Sequence, residues 1–89
     1  MQKQVHVIFS GRVQGVGFRF STMSIARHLS VRGWVRNLAG SSVELVADGE
    51  EKVLQDFIRR IEGEFSGCIS DRDVQWSDAT GEFQRFEIR

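Results

Sequence analysis

The chain has 89 residues, which is one small domain spanning residues 1–89 and no more. Hydrophobic residues make up 40%, enough for one ordinary core and too many for a disordered chain. Twelve basic and twelve acidic residues cancel, so the basic excess with which nucleic-acid binders neutralise phosphates is missing, and no nucleic-acid partner is expected.

A domain this short buries only about 60–65% of its unfolded surface, so any site is expected in a shallow surface loop rather than a deep cavity. Cys68 is the one cysteine; it has no partner for an internal disulfide, and zinc-site spacing is absent. No apolar run approaches the roughly 20 residues that span a bilayer, and MQKQVHVIFSG has no signal-peptide core. The expectation is a soluble cytoplasmic protein without membrane contact, acting as a monomer.

In chain order, Val5, Val7 and Phe9 alternate with His6, Ile8 and Ser10, which predicts a strand central in its sheet and ended by Gly11. A glycine-rich loop follows. A helix comes next, with Ser21 or Thr22 as its cap and with Thr22, Ile25, Ala26 and Leu29 at helical spacing. After Gly33, residues 34–38 read as a strand, 39–42 as a turn and 43–47 as its hairpin partner. Asp48 and Gly49 introduce a second helix with acids Glu50 and Glu51 in its first turn. Its stripe is Val53, Leu54, Phe57, Ile58 and Ile61, and Gly63 stops it. Residues 69–76 hold a fourth strand and 83–88 a short last one. The order β-α-β-β-α-β with a terminal strand predicts a ferredoxin-like α+β sandwich: an antiparallel sheet with both helices on one face.

Residues 11–19 read GRVQGVGFR. Three closely spaced glycines let backbone N–H groups turn toward one point, and such a concave row of amides binds an anion without side-chain charge. The loop runs into a helix start, whose free N–H groups favour negative charge, and Arg19 stands at that junction with a fork of donors suited to two phosphate oxygens. Glycines at 11, 15 and 17 fit neither GxxxxGK[ST] nor GxGxxG, and spacing alone leaves a tight connection with a surface arginine equally open.

GRVQGVGFR resembles the signature of the acylphosphatases. GWVRN at 33–37, followed by Val43 and Gly49, and FEIR at 86–89 match further elements of that family, so the resemblance spans essentially the whole chain. One departure is Ser41, where the family usually carries glycine; the turn is expected to be rebuilt with Gly40 in the left-handed conformation. Gly17 occupies a position that varies in the family.

The resemblance implies hydrolysis of small acyl phosphates to a carboxylate and inorganic phosphate by direct attack of water. It implies no cofactor and no metal. It carries the catalytic roles to Arg19 and Asn37, and phosphate binding to Gln14, Gly15, Val16, Gly17, Phe18 and Arg19. The chemistry fits these residues: a carboxylate leaves readily, so positioning and electrostatics suffice. An asparagine amide both donates and accepts, and so orients water without being a strong base. Without the resemblance, Asn37 would be read as a turn asparagine and Arg19 as half of a surface ion pair.

Elsewhere, His6 and His28 have no evident nucleophile beside them and are read as structural or exposed. Asp71, Asp73 and Asp78 lack a calcium-loop pattern and are read as a solvated rim, and Trp34 and Trp76 as packing residues. The rival class is a non-enzymatic module on the same sandwich, such as an RNA binder. That reading needs exposed strand aromatics and a basic face, which Phe9 alone and a net charge of zero do not provide. A third reading is an anion sensor that keeps the loop but not turnover; intact Arg19 and Asn37 argue against it.

Overall fold

A computed structural model describes residues 1–89. The elements are β1 (Gln2–Gly11), α1 (Phe18–His28), β2 (Arg32–Asn37), β3 (Val43–Glu50), α2 (Glu51–Glu64), β4 (Ile69–Asp78) and β5 (Phe86–Ile88). The sheet order is β4-β1-β3-β2-β5, which puts β1 inside the sheet, as its apolar pattern requires.

Alternation decides which face of the sheet is covered. Val5, Val7, Phe9, Val35, Val43, Leu45 and Ala47 point to one side and are buried there with Phe18 and Ala26 of α1 and Leu54, Phe57, Ile58 and Ile61 of α2. Both helices therefore lie on that face, and their apolar stripes fill a single core. His6, Ile8, Glu44 and Val46 point the other way and stay partly open to water.

Several expectations need correction. The four long strands pair antiparallel, but β5 runs parallel to β2, so the sheet is mixed. The connection from β4 crosses to the far edge before β5 begins. It is held there by Asp48, which accepts hydrogen bonds from Gln4 Nε2 at 3.0 Å and Gly81 N at 3.0 Å. Asp48 and Gly49 thus belong to β3, not to the start of α2, because pairing with β1 continues to Glu50. Residues 83–85 lie outside the last strand, and α2 runs through Gly63 to Glu64. Neither tryptophan is in the core: Trp76 is exposed on edge strand β4, and the Trp34 ring lies under the guanidinium groups of Arg36 and Arg89, 5.0 and 5.3 Å from its centre. The loose cluster Asp71, Asp73 and Asp78 is exposed on β4.

On the open face, Glu44 joins three strands. His6 Nε2 of β1 donates to Oε2 at 2.7 Å, and Arg36 Nε of β2 donates to Oε1 at 2.7 Å. The His6 hydrogen bond, with Arg36 adding to it against the opposing push of burial, holds the Glu44 carboxyl below its ordinary value of 4.5. A carboxylate favoured in this way stabilises the fold above its unfolded pKa and loses that contribution as the pH falls through the folded one. Glu44→Gln is therefore expected to lower Tm at neutral pH, with the gap to wild type closing as the pH drops below 4.5. Thermal unfolding recorded across that range checks it.

Candidate active site

Three strand ends meet at one edge of the core. Phe9 near the end of β1 pairs with Val43 at the start of β3, and Val43 pairs with Asn37 at the end of β2. Directly paired residues share a face, and strands lie about 4.8 Å apart, so the Cα atom of Asn37 stands about 10 Å from that of Phe9 on the helix-covered side. The glycine-rich loop leaves β1 at this point. Two buried side chains hold its ends. Val13 is inside the core, and the Phe18 ring packs edge-on against Phe9 at 5.3 Å and tilted against Phe65 at 4.7 Å.

Between these anchors Gly15, Val16 and Gly17 are exposed. Gly15 and Gly17 have φ of 77° and 78°, a left-handed conformation that any side chain would strain. Gly17 is the N-cap of α1, with ψ of 16° and no side chain to cap the helix. The expected caps, Ser21 and Thr22, instead lie inside α1, which begins at Phe18. The cap preference for serine and threonine gives way here to a glycine turn that leaves the first helical amides uncapped. From Gly15 to Phe20 no backbone N–H is engaged in a bond within the protein; the first one bonded is Ser21 N, to Gly17 O at 3.0 Å. Unbonded amides at a helix start lie at the positive end of its dipole, an arrangement suited to an oxyanion.

Arg19 is the second residue of α1 and is half-buried. Five arginines are engaged with acids, Arg36 with Glu44, Arg59 and Arg60 with Asp56, Arg72 with Glu62 and Arg89 with Glu87, whereas Arg12, Arg27, Arg32 and Arg85 are not. Arg19 has no acidic partner, so its positive charge remains available to an anion at the helix start. Asn37 is exposed, and its own backbone pairs with Val43. Sequence reasoning placed Asn37 before the turn, and the structure brings it to the same end and the same face of the sheet as the loop.

The connection between loop and hairpin is a residue whose side chain sequence reasoning overlooked. Gln14 Nε2 donates to Leu38 O at 2.9 Å and to Ser42 O at 2.8 Å. Both partners are carbonyls, so only the NH₂ end of the amide satisfies them. The same Ser42 carbonyl accepts Leu38 N at 2.9 Å, closing the hairpin immediately after Asn37. Gly40 in that hairpin has φ of 90°, the left-handed turn residue expected beside Ser41. Gln14 thus ties the anion loop to the strand end that carries Asn37. No spacing rule points to it, since 24 residues separate it from Leu38. Loss of this tie misplaces groups without removing them. Gln14→Ala is expected to lower kcat about tenfold, with a smaller change in phosphate inhibition. If Gln14 acts through Asn37, Gln14→Ala adds nothing to Asn37→Ala, which steady-state kinetics of the double variant would show.

One groove lies away from this loop, between α2 and β4, where Arg72 and Glu62 pair at 2.6 Å beside Ile58 and Trp76.

Fold and loop together define a class: small α+β sandwiches with a glycine-rich first strand-to-helix loop. The acylphosphatase family model matches residues 5–88. An acylphosphatase from Salinibacter ruber is 44% identical over 99% of this chain and 94% of its own length. One from Methanospirillum hungatei is 47% identical over 81% of this chain and 79% of its own. The crystal structure of acylphosphatase from Bacillus subtilis superposes with a TM-score of 0.90 at 36% identity, covering 98% of both chains. The chain belongs to the acylphosphatase family, and it is a hydrolase of acyl phosphates.

Proposed function

We propose that the phosphoryl group of the substrate binds in the hollow formed by the backbone of Gln14, Gly15, Val16, Gly17 and Phe18, is gripped by the Arg19 guanidinium, and is attacked by a water that Asn37 orients. The new bond joins the water oxygen to phosphorus. The bond that breaks joins phosphorus to the acyl oxygen, and its electron pair leaves with the carboxylate. The proton lost by water passes to solvent, and inorganic phosphate remains.

The observation that carries this reading is the run of unengaged amides from Gly15 to Phe20 at an uncapped helix start. These donors, with Arg19 beside them, spread positive potential over the nonbridging oxygens, whose charge grows as the leaving bond stretches. A carboxylate leaving group needs no protonation, which matches a site whose polar side chains are an arginine and an amide rather than an acid and a base. Asn37 stands one strand beyond β3, and the Gln14 tie joins its strand end to the loop.

The roles given to these residues need neither a metal nor a nucleic acid. Purified protein is expected to hydrolyse benzoyl phosphate at an undiminished rate in excess chelator, to be inhibited competitively by phosphate, and to give no gel shift with mixed RNA. Loss of activity in chelator would overturn the metal-free scheme, and inhibition by phosphate that is not competitive would overturn the assignment of the hollow.

A further inference from the structure

We propose that Val16 and Phe20 form an apolar flange for the acyl group, so that the enzyme favours acyl phosphates with aryl or longer aliphatic chains over acetyl phosphate. The inference rests on the placement of phosphate and water proposed above.

Few large apolar side chains are exposed on this molecule: Met1, Val16, Phe20 and Trp76. Two of the four stand at the hollow. Val16 lies within the loop and is 46% exposed, and Phe20 in the first turn of α1 is 69% exposed. The core does not require either, since Phe18 already fills the aromatic position between α1 and the sheet.

Direction is the stronger part of the argument. Attack on phosphorus is in line, so the leaving acyl oxygen departs on the side opposite the water. Asn37 places the water on the sheet side of the hollow, because its side chain shares a face with Val43 and Phe9. The acyl group must then project away from the sheet. Phe18 points into the core, and at about 100° per residue Phe20 points about 200° from it, toward that outer side. Helical side chains lean back toward the N-terminus, so the phenyl ring stands by the turn that opens at Gly17, and it borders a groove that continues along α1 past Ser21, Met23, Ser24 and Arg27. Val16 flanks the same opening from the loop. An acyl group held by its phosphate therefore meets these two side chains first. A short polar acyl group leaves them wet, whereas an aryl group covers them and gains stacking.

The test compares kcat/KM for benzoyl phosphate and acetyl phosphate in wild type, Val16→Ser, Phe20→Ala and Phe20→Leu. The benzoyl-to-acetyl ratio is expected to fall about fivefold in Phe20→Ala, with partial recovery in Phe20→Leu and a smaller fall in Val16→Ser. A ratio that stays within about twofold of wild type in all three, or an equal loss for both substrates, overturns the flange. Arg19→Ala serves as the separate control for the hollow. If phosphate still inhibits that variant with unchanged strength, the site reading itself fails, whatever the ratio does.

Discussion

Arg19→Ala is expected to abolish inhibition by phosphate and to lower kcat/KM for benzoyl phosphate by about 10³-fold or more. The loop amides are fixed dipoles and supply partial charges, whereas the guanidinium supplies a whole one. As the bond to the acyl oxygen stretches, charge spreads over the phosphoryl oxygens, and a group interacting with them more strongly in the transition state than in the ground state raises kcat as well as affinity. A loss of 10³-fold corresponds to about 4 kcal/mol, a reasonable magnitude for a forked, charge-assisted contact to a phosphoryl group. Arg19→Lys is expected to recover only part of it, because an ammonium keeps the charge and loses the planar fork. The fold is not at risk, since Arg19 is only half-buried and holds no acid, while the adjacent Phe18 carries the packing. An Arg19→Ala protein that unfolds at the wild-type temperature and still binds phosphate would remove the arginine from the mechanism.

How far the sequence exposes such a site depends on the range of the interaction involved. Alternation in β1 and the stripe of α2 are local patterns, and both predict the faces that the core buries: Val5, Val7 and Phe9 on the strand, and Leu54, Phe57, Ile58 and Ile61 on the helix. The glycine loop and Arg19 are legible because the need for left-handed backbone is local too. Where a long-range partner decides the outcome, pattern reading fails. The Asp-Gly pair at 48–49 looks like a helix entrance, yet β1 pairing and the hydrogen bonds to Gln4 and Gly81 hold it in β3. A serine and a threonine look like a cap, yet Thr22 is drawn into the core and Gly17 turns the chain earlier. Phe86 looks like the member of another antiparallel strand, but its ring must reach Phe57 at 5.8 Å beneath the helices, and β5 meets β2 in parallel. Gln14 is the sharpest case. Its backbone was expected to bind phosphate, but its amide side chain reaches across to a hairpin that no sequence window contains.

Asn37→Ala is expected to reduce kcat by about 10³-fold while leaving inhibition by phosphate within about twofold of wild type. The reason lies in the division of the site between two chain segments. In the proposed scheme phosphate is held by residues 14–19, which are anchored through Val13 and Phe18, so this loop is expected to persist when the Asn37 side chain is removed. Asn37 contributes at the end of β2, where backbone pairing with Val43 and the Leu38 to Ser42 hydrogen bond fix its position independently of its amide. Removing the amide therefore frees the water but not the phosphate, and a freed water must be caught in line by chance. Asn37→Asp separates this account from a generic polar requirement. Aspartate has almost the same shape, but it only accepts hydrogen bonds and brings a negative charge toward a phosphoryl group. It is expected to weaken phosphate binding, which alanine does not. Full turnover in Asn37→Ala would place the water elsewhere. Equal loss of phosphate binding in both variants would mean that Asn37 grips the anion, and the two segments would then share a single task.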